Sequence, residues 1–200
     1  MLNNVLPLSG VEATMDSVPS FTQAIKRARS YGIGEFLEII GELSQESTKK
    51  GLLSRKTKEL VTFGIALNKQ CERCICIHAD DAKKLGATEK ELEQVRKIAL
   101  FMRSTPSRDE HLWKSWKSSW KQFVLAKGAI PHGDRELIAV AISIVMQHKK
   151  HIQLHTKNAM QLGHGGAEVM EVLPIALLMD GAPALSQIPT LMKAIEKHSD

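Results

Sequence analysis

The sequence predicts an all-α protein built from two tandem helical repeat units, the second of them degenerate. Three observations lead there. Strand-like alternation of β-branched residues is nearly absent, whereas apolar residues recur at helical spacing. Glycines and capping residues punctuate these runs at helix-length intervals. The chain also repeats itself without a gap at an offset of 77 positions. Glu59 falls on Glu136, Cys71 on His148, Cys74 on His151, His78 on His155, Gly51 on Gly128 and Gly86 on Gly163. A constant offset over that many positions marks duplication of one supersecondary unit.

The elements follow in order. Residues 1–34 read as an N-terminal arm, with Pro7, Gly10 and Pro19, followed by a short helix. Residues 35–103 form the active unit, and 104–200 the degenerate unit with a C-terminal helix. Over 35–48, Phe36, Leu37, Ile39, Ile40 and Leu43 make a helical stripe, and Gly51 is expected to stop that helix in the left-handed position after its end. Ser54 caps the next helix, whose stripe is Leu60, Val61, Ile65 and Ala66. A break at Asn68-Lys69-Gln70 precedes a third helix from about Cys71 to Leu85, stopped by Gly86. Thr88 with Glu91 three residues on spells a capping box. Residues 104–110, with Pro106, join the units; Pro183 and Pro189 are expected to break the stretch 174–198, which ends in one short helix.

Bulk composition narrows the function. With 200 residues, 43% hydrophobic and 24% charged, the chain has a soluble globular balance and can bury a core without disulfide staples. Its 27 basic and 22 acidic residues leave +5, dispersed in pairs such as Lys49-Lys50 and Lys149-Lys150, which is not the dense stripe of a nucleic-acid binder. No apolar run reaches the ~18 residues of a membrane span. Residues 1–25 hold no Lys or Arg to begin an export signal, so the expected location is cytoplasmic. Cys71, Cys74 and Cys76 cluster within six positions, which points to redox or metal chemistry.

On the helix that starts near Cys71, Cys71, Cys74 and His78 stand at i, i+3 and i+7 and form one row. The helix start favours thiolate, an argument that by itself prefers Cys71 as the lower-pKa thiol. Cys76 points about 200° away from Cys74 and is expected to be a buried small hydrophobe. If the chain reverses near residue 69, Glu59 and His78 reach the same height to about 3 Å, so that a carboxylate orients an imidazole. Four ligands on one helix cannot converge tetrahedrally on zinc, so no metal or cofactor is expected there.

The pattern Glu-x11-Cys-x2-Cys-x3-His, read from Glu59, Cys71, Cys74 and His78, resembles the alkylhydroperoxidase D-like members of the carboxymuconolactone decarboxylase superfamily. The resemblance covers about residues 35–100 and, as a degenerate copy, 112–180. It implies a thiol-dependent peroxidase or disulfide oxidoreductase of antioxidant defence. Cys74 would be the attacking thiolate, Cys71 its resolving partner, and His78 with Glu59 the proton relay. A hydroperoxide or disulfide would be the substrate, and a dithiol or protein reductant would restore the enzyme. The chain departs from the mycobacterial type at Arg73, where that type has His, and in carrying the active copy first.

Two other functions stand beside it. The superfamily's other branch processes lactones by decarboxylation, without a cysteine pair. A His-rich metal binder would use His148, His151, His155 and Glu136, a plausible transition-metal set; the expectation is instead that the second copy lost its thiols and survives as structure. Trp113, Trp116 and Trp120, at i, i+3 and i+7, read as a core or subunit-contact stripe. Fused two-unit relatives are trimers, so the resemblance implies a homotrimer with that stripe at or near the contact, a hexamer or dimer being next.

Overall fold

The computed structural model describes residues 20–106 and 109–199. Among them every regular element is helical: α1 (Phe21–Ala28), a π-helical turn (Arg29–Ile33), α2 (Gly34–Thr48), α3 (Arg55–Lys69), α4 (Glu72–Lys84), α5 (Glu89–Arg103), α6 (Glu110–Leu125), α7 (His132–Val145), α8 (Lys149–Gln161), α9 (Gly166–Met170), α10 (Val172–Asp180), α11 (Ala182–Leu185) and α12 (Ile188–Glu196). The arm expected over residues 1–19 lies outside the described residues. The chain divides into two compact units, residues 1–42 and 43–200. In the smaller, Ser20 caps α1, Arg29 pairs with Glu38, and Phe36, Ile39 and Ile40 of the α2 stripe are exposed.

The larger unit is organised around α3 and α7, which occupy equivalent places in the repeat. Residues 58–66 of α3 and 135–145 of α7 are buried without interruption. A helix apolar on all sides needs neighbours on all sides. Those neighbours are α4, α5 and α10 around α3, α5, α6, α8, α10 and α11 around α7, and each other. Gly64 permits the central approach, because a Cβ there would lie 2.8 Å from Ile138 Cγ2.

The two copies are clasped by exchange. Glu171, from the second copy, accepts the backbone N–H groups of Leu52 and Leu53 at 2.7 and 3.1 Å and pairs with buried Lys58 at 3.0 Å. At the equivalent place Gln94, from the first copy, accepts Ile130 N–H at 2.8 Å. Lys58 donates to Lys49 O, and Arg135, at the matching position, donates to Ala126, Val124 and Ile130 carbonyls, so each basic side chain caps the C-terminus of the helix before it. This corrects the expectation for Gly51. α2 ends at Thr48, and Gly51 is not a left-handed stop; a Cβ there would strike the Glu171 carboxylate. Gly128 is required likewise, against Gln94 and Arg135.

Ser54 and the Thr88–Glu91 box cap α3 and α5 as read from sequence, and Gly86 and Gly163 take positive φ after α4 and α8. The C-terminal stretch differs. Pro183 and Pro189 sit at the first turns of α11 and α12, where a missing N–H costs nothing, so they begin helices. The stretch is broken into α10, α11 and α12, and α12 is the short helix expected at its end. No helix among the described residues is long and apolar enough to cross a membrane.

Candidate active site

α3 ends on Gln70, which takes a left-handed conformation (φ 56°) and turns the chain back sharply. That reversal makes Cys71 the N-cap of α4, its Sγ accepting Cys74 N–H at 3.4 Å. Cys71 and Cys74 are joined by a disulfide, their Cα atoms 5.3 Å apart, within the usual range for such a bridge. Both are half-buried, so the pair is open to a reactant.

One helical turn on, His78 Nδ1 lies 2.9 Å from Glu59 Oε2. The two side chains are 15% and 7% exposed, enough burial to hold the bond in a low dielectric while leaving the imidazole an edge to solvent. Among the described residues this is Glu59's one hydrogen bond. A carboxylate accepting Nδ1–H leaves Nε2 as the basic nitrogen, on the helix face of Cys74 four residues earlier. The structure thus brings together Glu59, Cys71, Cys74 and His78. Cys76 carries a free thiol and is half-buried, so the buried hydrophobe expected there is more open than its helical angle suggested.

The second copy reproduces this geometry with different atoms. Gln147 takes the left-handed turn (φ 54°), and His148 becomes the N-cap of α8, its Nδ1 accepting His151 N–H at 3.3 Å. His155 Nδ1 meets Glu136 Oε2 at 2.6 Å, and His155 Nε2 meets His151 Nδ1 at 3.1 Å. His151 Nε2 lies 2.8 Å from Thr105 Oγ1, whose own proton goes to Met102 O. Since Thr105 must accept from His151, the His151 Nδ1 is bare and accepts from His155. Burial pushes the His151 pKa down to about 2, in keeping with a neutral ring. Trp120 Nε1–H and the Asn158 amide both donate to Glu136 Oε1.

α6 closes over this row. Trp116 lies edge-on to His151, with ring centres 4.5 Å apart, and Trp120 edge-on to His155 at 4.8 Å. Trp116 and Trp120 are buried in the chain's own core, one of the two readings of this stripe, and there they cover the histidines. His151 and His155 are fully buried, and the nitrogens of both are spent on hydrogen bonds. Among the described residues no group of three or more His, Cys, Asp or Glu is arranged to hold a metal ion. Sequence reading missed Thr105, Trp120 and Asn158 as members of this chain. Asn158 stands three residues after His155 and was findable by helical spacing; Thr105 lies 46 residues before His151 and had no local signal.

Neither the curated proteins nor the solved structures contain a match to the chain. The carboxymuconolactone decarboxylase family model matches twice, over residues 34–118 and 113–193, following the repeat. Two matched segments that span most of the chain, on a helical duplication with the expected turns, place this protein in the carboxymuconolactone decarboxylase family as a tandem two-unit member.

Proposed function

We propose that the first unit is a thiol-dependent peroxidase of the alkylhydroperoxidase D-like kind, also competent as a disulfide oxidoreductase. The observation that carries this reading is the Cys71–Cys74 bridge at a helix start, one turn from an imidazole held by a carboxylate. A reversible pair needs two sulfurs within bonding reach, a thiolate favoured by the helix terminus, and a base to carry its proton.

The steps balance as follows. In the reduced pair His78 Nε2 takes the Cys74 proton, and Glu59 supports the imidazolium. The Cys74 thiolate attacks the terminal oxygen of a hydroperoxide. An S–O bond forms, the O–O bond breaks, and the alkoxide leaves as alcohol with the proton from His78. The Cys71 thiol then attacks the Cys74 sulfur, forming the disulfide and releasing water with the Cys71 proton. An external dithiol, small or on a protein, returns the pair by exchange and carries the oxidation away. The N-cap position of Cys71 and the His78 side of Cys74 fit these separate roles. The lactone-decarboxylating reading leaves the cysteine pair without a task.

The same reading has the chain working as a homotrimer. The exposed Phe36, Ile39 and Ile40 on α2 are apolar surface for such an assembly, and light scattering at micromolar concentration measures its mass.

The test is steady-state consumption of cumene hydroperoxide with dithiothreitol as reductant. Turnover should require the dithiol and vanish in Cys74→Ser. Decarboxylation of a carboxylated lactone by a Cys71→Ser/Cys74→Ser variant, with no hydroperoxide consumed by the parent, would overturn the reading.

A further inference from the structure

The second unit carries a cavity beside the buried row, bordered by Trp120, Glu136 and Asn158. It lies between α6 and α8 and has a volume of about 430 Å³, within the range of small-molecule sites. Its walls are apolar: Val124 and Leu125 from α6, Leu154 and Leu162 from α8, and Trp120 at the bottom. Leu125 and Leu162 are 55% and 40% exposed, so a soluble chain leaves apolar surface open at this spot.

Around the same cavity stand Lys114, Lys117, Lys121 and Lys157. All four are exposed, and among the described residues none has a salt-bridge partner. Lys114 feels the Glu110 carboxylate, but Glu110 is already held by Lys150. On α6 the three lysines fall at i, i+3 and i+7, one face, and Lys157 faces them from α8. Four unpaired cations ringing an apolar cleft repel one another unless an anion sits among them.

We propose that this cavity binds an amphipathic monocarboxylate, a small acid with one carboxylate and an apolar body. The polarity of binding follows from the floor. Glu136 lines the cavity beside Trp120, so a second negative group is refused there, and the carboxylate stays at the lysine rim while the apolar body lies over Trp120, Leu125 and Leu154. The lysines are particular to this copy. The residues 77 positions earlier are Leu37, Ile40, Ser44 and Asp80, so the first unit has no such ring. A copy that exchanged its thiols for histidines has thereby gained an anion rim. This inference does not depend on the peroxidase reading.

All three tryptophans lie on α6, so their fluorescence reports from this unit alone. Decanoate, titrated into the full chain below its micelle concentration, should bind saturably at one site per chain and shift that fluorescence. Decanol should bind at least about tenfold more weakly, and acetate not measurably. Lys117→Gln/Lys157→Gln, exposed changes that leave the core alone, should weaken decanoate about tenfold at low salt, and at about 1 M salt, where screening acts within ~3 Å, the parent and variant should converge. Leu125→Gln should weaken decanoate and decanol together. Equal affinity for decanol and decanoate, indifference to the lysine changes, or binding to anionic vesicles with none to free decanoate would each overturn the proposal.

Discussion

The two copies hold the same row of positions on the same two-helix hairpin, and they treat it in opposite ways. In the first, Glu59 accepts one hydrogen bond, His78 keeps an edge to solvent, and the row ends in a sulfur pair. In the second, Glu136 accepts three hydrogen bonds, His155 and His151 are sealed beneath α6, and the row ends on a threonine hydroxyl that passes its proton to a carbonyl. A relay with every donor and acceptor satisfied has nowhere to send a proton; it specifies packing. One with a free basic nitrogen beside a thiol can do chemistry. What separates the two copies is what is left unsatisfied: the first keeps an imidazole edge open beside a sulfur pair, and the second spends every nitrogen of its two buried histidines.

The largest effect that would break or sharpen this contrast is on turnover. Cys74→Ser should reduce dithiol-dependent hydroperoxide consumption to background, whereas His148→Ala/His151→Ala, at the equivalent positions, should leave the rate per folded molecule unchanged. That second variant should instead lose stability, by about 2–5 kcal/mol in urea unfolding, because it opens a buried void and strands the partners of His151. Next in size, His78→Gln and Glu59→Gln should each slow consumption by about 10–10⁴-fold, the range for loss of a general base or its support. An unchanged rate in the His78 variant would take the imidazole out of the mechanism.

Smaller effects follow from pH. Burial lowers the His151 pKa from 6.5 to about 2, so below pH 6.5 the unfolded chain binds a proton that the folded chain refuses. This stabilisation is full above pH 6.5 and is lost as pH falls, by up to about 1.4 kcal/mol per pH unit. Urea unfolding between about pH 4.5 and 7 should show that slope, flattened in His151→Gln. His164 behaves oppositely and more weakly. Its hydrogen bond to Asp134, then that to Glu168, raises its pKa above 6.5, so its contribution is full below 6.5 and fades as pH rises through the folded value. His164→Asn should remove an alkaline loss of stability smaller than the acid loss from His151.

Much of this was legible in the sequence, and the reasons are physical. The constant offset exposed the duplication, and helical spacing placed Cys71, Cys74 and His78 in one row, because both are local properties of the chain. The Glu59–His78 contact followed from one assumed reversal, which Gln70 supplies. What was not legible depends on parts far apart in sequence. Gly51 was assigned to a helix stop because the Glu171 carboxylate that needs its space comes from the other copy. The tryptophan stripe was left between core and subunit contact because nothing local says that α6 folds over α8. Pro183 and Pro189 were read as breaks because proline interrupts a helix interior and starts a helix equally well, and only the surrounding chain decides which.

The proposed contrast between a redox-active and a sealed copy is tested most directly by counting thiols. Protein reduced with dithiol and freed of it should titrate three thiols, the number of cysteines in the chain. After one equivalent of organic hydroperoxide it should titrate one, with one alcohol formed per chain. Peptide mapping should then find Cys71 linked to Cys74 and Cys76 still free. Three thiols surviving the hydroperoxide, or Cys76 in the new link, would contradict the account.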